Sequence, residues 1–492
     1  MCSILLLCSL APAYDHGGIN RQRTLIDILD DDSLLNIFYH CRPAISEIDM
    51  DIESRVVISV SGWQSEGERW WYKPTQVCRR WRHLILASPS YLGLSLVCGG
   101  RSGTPVADML VHSPPFPLII DHRDNIFWQD PEGTRLALEH RDRVRCIRLR
   151  MRILPLMNLI ASIDGSFPLL EYLYICPLNW PNMGCPFPFT LRAPNLRHLV
   201  LHGSSFPFQS PLLVGLVTLI LEGNPSANFG PTELLQQLSL MPHLETFRIT
   251  FPRTLSNQHV ERKFLRKPLS THVTLPTLRW FGFGGPSAYM EVVLPRITAP
   301  LLKITEIASS TSDLLNLTSS IIFTLRSMCE TEDPKLCDVK VTFNNVYALV
   351  TMYPHRRTDM PTLRLRIFLT MSLESPAQVF DGIRAVFTEV ESLTLEDEIS
   401  YGHLKKRAIR TGSRWCELLR SFDKVRTLHV SGSDLIEGLS RSLRPHDGES
   451  AIELLPMLRV LSFPKGSHVG ESCRSLIAIR QNAGHPVIIS YH

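Results

Sequence analysis

The sequence predicts an α/β chain: a short helical region near the N-terminus, then an irregular solenoid of strand–helix repeats whose parallel strands line its concave side. Three observations carry this. A short Leu-centred phrase recurs along the chain. Its copies are separated by a few tens of residues. Apolar stretches with helical spacing lie between several of them.

The phrase reads apolar-Pro-x-Leu, then a charged or polar residue, then apolar residues at alternate positions. It occurs as FPLLEYLYI (167–175), APNLRHLVL (193–201), MPHLETFRI (241–249), LPTLRWFGF (275–283), APLLKITEI (299–307) and LPMLRVLSF (455–463). Thr305 weakens the fifth copy. Proline-free relatives begin at Val144, Leu216, Leu336, Val390 and Val425, and MPTLRLRIF (360–368) carries Arg366 where an apolar residue is expected. Counted at their first apolar residue, the copies fall at 144, 170, 196, 216, 244, 278, 302, 336, 363, 390, 425 and 458, with gaps from 20 to 35 residues. This is the L-x-x-L-x-L core of a leucine-rich repeat, at and beyond the long end of its usual period.

Side chains alternate across a strand, so Leu199 and Leu201 are expected to turn inward and His198 and Val200 outward. Proline ahead of the strand supplies no ladder N–H and is tolerated at a strand's first residue. Helices are expected over 153–163, 232–241 and 312–328. No unit of this kind can bury its own apolar face, so the units must stack. A doubly wound sheet would need a glycine-rich turn after an early strand, and none is present. The segment GFGGPS (282–287) follows a repeat strand and reads as a turn.

With 492 residues, 44% hydrophobic and 20% charged, the chain can bury a long core. A formal charge of +4 argues against wholesale nucleic-acid or anionic-membrane binding. The 12 cysteines form no C-x-x-C pair and no zinc spacing, which reads as reduced core thiols in a cytoplasmic or nuclear protein. Neither metal nor cofactor is expected. Residues 1–23 contain an apolar run, Ile4–Leu7, without a basic region before it, and read as a poorly ordered leader rather than a secretion signal. No long uncharged run suits a membrane span, so the sequon at Asn316 is expected to carry no sugar.

Between leader and repeats lies TLIDILDDDSLLNIFYHC (24–41). Asp30, Asp31 and Asp32 stand where a helix begins, suiting its dipole and cap, and Leu34, Leu35, Ile37 and Phe38 follow as an apolar cluster. After an interruption at 42–73 come Pro74, then VCRRWRHLI, then Pro89. Val77, Trp81, Leu84 and Ile85 fall on one helical stripe, with Arg79, Arg80, Arg82 and His83 mostly elsewhere. The stripe has two readings that can hold together: a cap on the solenoid's open end, or a face for another protein.

The acidic-then-LLxIF helix, the later VCRRWRHL helix and an SP..L.L.L run leading into leucine-rich repeats resemble an F-box protein. More narrowly, they are similar to the expanded F-box family of mushroom-forming fungi. The resemblance covers residues 24–97 and, through the repeats, most of the remainder. It implies a helical F-box-like domain at 24–88 with an insertion at 42–73, followed by a repeat domain at 89–492. It also implies docking on the Skp-type linker of an SCF-type cullin ubiquitin ligase, with the repeats holding the protein to be ubiquitinated. Carried over by residue, Leu34, Leu35, Ile37, Phe38, Val77, Trp81 and Leu84 would bind the linker. The usual Leu-Pro ahead of the acidic residues is Leu29-Asp30 here, and the insertion separates helices that are normally closer. The alternative is a scaffold on the same solenoid, outside any ligase, with a degenerate F-box.

For the target, Arg148, Arg150 and Arg152 share one face of a strand and could grip an acidic or phosphorylated segment. The competing reading is a solvated strand face that discourages edge pairing. Few aromatics lie near for base stacking, so nucleic acid is not expected. Tyr172, Tyr174, His198, Arg248, Trp280 and His429 occupy other outward positions. No P-loop, G-x-S-x-G, H-E-x-x-H or Cys/His nucleophile signature is present, so no catalysis is expected.

Overall fold

The computed structural model describes residues 28–41, 70–99, 105–123, 130–178, 185–186, 190–205, 211–223, 230–251, 271–310, 336–343, 347–354, 363–368, 390–397, 419–420, 422–432, 435–436, 454–466 and 471–491. The leader at 1–23, the insertion up to residue 69, the helix expected over 312–328 and the sequon lie outside them. The chain divides into two compact units, 1–179 with 190–195, and 180–189 with 196–492.

The first unit opens on helix α1 (Asp31–Cys41). Asp30 caps it: the Ser33 amide donates to Asp30 Oδ1 at 2.7 Å, and this bond holds the carboxyl below its usual range. Two short helices follow, α2 (Tyr72–Thr75) and α3 (Arg79–Ala87), then α4 (Pro89–Leu92). Cys78 is extended and caps α3, its Sγ accepting from the Trp81 amide at 3.4 Å. Val77 therefore lies ahead of α3 and not on the stripe with Trp81, because the cap interrupts the helix between them. Arg80 ties α3 to the start of α1, donating to Asp31 Oδ1 at 2.6 Å and to the Leu29 carbonyl at 2.6 Å.

Strands β1 (Leu96–Cys98), β2 (Leu118–Arg123), β3 (Val144–Arg152) and β4 (Tyr172–Leu178) then pair in parallel and in chain order. Ile120, Ile147 and Leu173 form one fully buried row across β2, β3 and β4. Helix α5 (Val106–His112), helix α6 (Pro131–Glu139) and helix α7 (Ile153–Ser162) occupy the connections; α7 buries Leu156, Leu159 and Ile160. Trp71 packs edge-on against Phe116, just before β2, with ring centroids 5.3 Å apart. Trp71 thus joins the helical head to the first strands of the same unit.

The second unit begins with five parallel strands in order: β5 (His198–His202), β6 (Thr218–Glu222), β7 (Thr246–Thr250), β8 (Trp280–Gly284) and β9 (Ile304–Ser310). Leu199, Leu219, Phe247, Phe281 and Thr305 make one inward row, and Leu201, Leu221, Ile249, Phe283 and Ile307 the next. Each such apolar side chain gains about 1.5–3 kcal/mol from burial, and one phrase supplies only a few, so the rows need neighbours on both sides. Helix α8 (Pro231–Leu238) fills one connection, overlapping the expected 232–241, and helix α9 (Ser287–Val293) another.

The recurrent proline has a more specific role than expected. In five copies the amide of the phrase's leucine donates to the carbonyl of the residue before the proline: Leu170 to Phe167, Leu244 to Met241, Leu278 to Leu275, Leu302 to Ala299 and Leu458 to Leu455. That is a β-turn with Pro at its second position, where a fixed φ is pre-set for turning. In these copies the proline lies in the turn, four residues ahead of the strand's first residue. Gly282 and Gly284 likewise lie within β8 rather than in a turn, because the strand needs bare positions there, as described below.

Beyond β9 the parallel order breaks. Strands β10 (Leu336–Phe343), β11 (Tyr347–Pro354) and β12 (Leu363–Phe368) form an antiparallel meander, and β9 pairs with β12, not with β10. β10 pairs in parallel with β13 (Ser392–Asp397). The expected all-parallel series is therefore corrected: β11 runs against its neighbours. Only three residues separate β10 from β11, far fewer than the dozen or so that a parallel crossover needs. In β12 the inward residues are Leu363 and Leu365, opposite Thr305 and Ile307, so Arg366 does not occupy the row that the phrase assigned to it. The parallel series resumes through β14 (Thr427–Ser431), β15 (Val460–Phe463) and β16 (Ile488–Tyr491), with helix α10 (Glu471–Asn482) ahead of β16. Arg480 of α10 is buried and donates to the carbonyls of Leu454, Leu455 and Pro456, pinning the helix to the last proline turn.

Candidate interaction surfaces

In the helical head, Leu34 and Phe38 of α1 face inward, and Phe38 meets Trp81 edge-on with centroids 4.9 Å apart. Trp81 is 7% exposed, and Leu84 and Ile85 are buried beside it. Four of the seven residues expected on the linker face, Leu34, Phe38, Trp81 and Leu84, are therefore core residues of this chain. They are spaced at i and i+4 on α1 and at i and i+3 on α3, which lets two helices seal on each other. Leu35 is half-buried, whereas Ile37 at 36% and Val77 at 49% face solvent. Tyr39 and Tyr91 are also exposed, their rings 5.4 Å apart. The outer side of α3 carries Arg79, Arg82, His83 and half-buried Leu86, at i, i+3, i+4 and i+7.

On the outer face of the first unit's strands, Asp121, Arg148 and Tyr174 are in register. Arg148 lies 5.0 Å from the Tyr172 ring centroid and 3.9 Å from Asp121 Oδ2. Its guanidinium is thus engaged by its own strands; Arg150 is half-buried and Arg152 exposed. Burial pushes the Tyr172 hydroxyl up to about 12 and the Cys146 thiol up to about 11, and it raises Tyr174 as well. These are signs of a packed face, not of poised nucleophiles.

The outer face of the second unit holds a chain of polar and charged side chains. His202 Nδ1 is 2.9 Å from Glu222 Oε2, Glu222 Oε1 is 3.2 Å from Arg248 Nε, and Arg248 Nη2 is 3.1 Å from Glu306 Oε1. Arg248 on β7 reaches Glu306 on β9 by crossing β8 at Gly282. A Cβ there would stand 2.8 Å from Arg248 Cγ. Gly284 does the same for Thr250, whose methyl lies 2.8 Å from the place of a Cβ. Arg248 is 5% exposed, Glu306 1% and Trp280 9%. Arg248 and Trp280 therefore do not stand open to a target as their outward positions suggested: alternation sets the face but not its exposure. His198 and His429 are half-buried, and His198 Nδ1 is 3.1 Å from Thr218 Oγ1.

Asp121, His202, Glu222, Gly282 and Glu306 were not expected in these clusters. Their outward phase was legible; the strand register that brings them to Arg148 and Arg248 was not. Among the described residues no group of three or more His, Cys, Asp and Glu could hold a metal, and no helix is long and apolar enough to cross a membrane.

No known family model matches the chain. No curated protein matches it either. Among solved structures it is similar to the leucine-rich repeat-containing protein LegL7 from Legionella pneumophila, at 12% identity over 80% of this chain and 99% of that one, with a TM-score of 0.25. The repeat reading rests on the phrase and on the parallel rows described above, not on this likeness.

Proposed function

We propose that the chain is a protein-interaction module that recruits targets to an SCF-type ubiquitin ligase, its helical head docking on a Skp-type linker and its repeats holding the target. The observation that carries this reading is the division of labour in the head. Leu34, Phe38, Trp81 and Leu84 close its core, yet Ile37, Val77, Tyr39 and Tyr91 stay exposed on so small a body. Scattered single apolar residues need no explanation, but Tyr39 and Tyr91 lie together, and exposed tyrosines with branched aliphatic side chains suit a binding face. The resemblance of residues 24–97 to F-box sequences supplies the partner. Co-purification of the full chain with a recombinant Skp-type linker tests it. Wild type is expected to bind, and Ile37→Asp with Val77→Asp to abolish binding while leaving the circular dichroism and melting temperature unchanged. Failure of wild-type protein to bind would leave the scaffold alternative, in which the same repeats serve assemblies outside a ligase.

A further inference from the structure

We infer that the surface this head presents is a basic one with apolar residues at either end, and that its partner meets it with acidic side chains. The inference rests on the reading above and specifies the chemistry of the docking face. Helix α3 spends its inner side on Trp81, Leu84 and Ile85. Its one acid-paired arginine, Arg80, is committed to Asp31 and the Leu29 carbonyl. Arg79, Arg82 and His83 remain on the opposite side, all exposed, and no carboxylate among the described residues pairs with them. Arg82 makes one bond inside the fold, Nε to the Thr75 carbonyl at 2.9 Å, which fixes its stem and leaves its guanidinium charge outward.

Half-buried Leu86 continues the same stripe, and exposed Val77 stands just before its first residue. The face therefore joins apolar contact to fixed positive charge within three helical turns. Among the described residues of the head the acids do not offset it, since Asp30, Asp31 and Asp32 stand at the start of α1, where Asp30 caps and Asp31 is taken by Arg80. A partner carrying acidic residues would be steered to this side of α3, and repulsion would reject a basic one.

The test uses the full chain and a recombinant Skp-type linker, with association followed by biolayer interferometry from about 0.05 M to about 0.5 M salt, across which exposed charges become screened. Wild-type association is expected to slow roughly tenfold or more over that range. Arg79→Glu with His83→Glu should slow low-salt association by a similar factor, flatten the salt dependence and leave the dissociation rate nearly unchanged. Arg459→Glu, an exposed site in the other unit, should change nothing. Should the double variant fail to fold, Arg79→Gln alone carries the test with a smaller effect. Linker binding that ignores both salt and charge reversal would overturn this inference and leave the adaptor reading standing. Absence of wild-type binding would overturn both. Charge-dependent capture of phosphatidylserine vesicles or a DNA duplex, with linker binding unmoved, would also overturn it.

Discussion

Arg148 and Arg248 stand at comparable mid-strand places on the outer faces of the two units; Arg148 is half-buried and Arg248 buried, and their charges are met by different means. Arg148 has the Asp121 carboxylate at 3.9 Å and lies over the Tyr172 ring at 5.0 Å. Arg248 bridges two carboxylates, at 3.2 and 3.1 Å, and lies across a glycine. The difference is set by the neighbouring strands. Tyr172 on β4 gives Arg148 an aromatic surface beside the Asp121 carboxylate. Gly282 on β8 offers no side chain to cover Arg248, but it opens a path to Glu306 one strand further. A cation inside a sheet face thus needs either a ring beside it or acids on both sides. A buried pair of the second sort is costly to break and adds little if replaced as a whole.

The largest expected effect comes from removing the cation. Arg248→Ala leaves the Glu222 and Glu306 carboxylates without their guanidinium and should destabilise the chain by about 3–5 kcal/mol in urea unfolding. Replacing all three groups together, Glu222→Gln, Arg248→Met and Glu306→Gln, should recover most of that loss. If the triple variant is no better than the single one, the ion chain is a net stabiliser and the comparison must be redrawn. Next in size is Gly282→Ala. Its methyl would press on Arg248 Cγ from 2.8 Å and should cost about 1–3 kcal/mol, an effect that disappears in an Arg248→Ala background. Equal costs in both backgrounds would mean that backbone freedom, not the arginine, explains the glycine.

The smallest effect is on the first unit. The Tyr172 hydroxyl sits above its unfolded value of 10, at about 12, so the folded state holds its proton more tightly. Its contribution is present in full below pH 10 and is lost as pH rises through about 12. Thermal melts of Tyr172→Phe should therefore fall less steeply than wild type between about pH 10 and 12. Parallel curves would show that the ring alone, and not its hydroxyl, matters to Arg148.

The repeat phrase proved readable because two local rules coincide in it. Pro at the second position of a turn and alternation in the next residues are both written within nine residues, as in MPHLETFRI. All twelve phrase positions from Val144 to Leu458 lie in, or just ahead of, strands of the parallel series or of the meander. The break at β11 was less visible, although Asn344-Asn345 between two alternating runs is a hairpin signal. Once a period of roughly thirty is assumed, a strand that falls between copies is easily passed over. In the head, the stripe through Val77 missed the cap at Cys78, a residue type seldom found capping.

By itself, the sequence determined where the chain turns and strands, which side chains point inward, and that two short amphipathic helices precede the repeats. These follow from dihedral preference and the period of apolar residues, which act over a few positions. Only the tertiary structure decided that Trp81 closes a core while Ile37 faces water, that Arg248 meets Glu306 over a glycine, and that β9 takes β12 as its neighbour. Burial and strand register depend on residues fifty or more positions away, as Arg248 and Glu306 do, and no local pattern carries that distance.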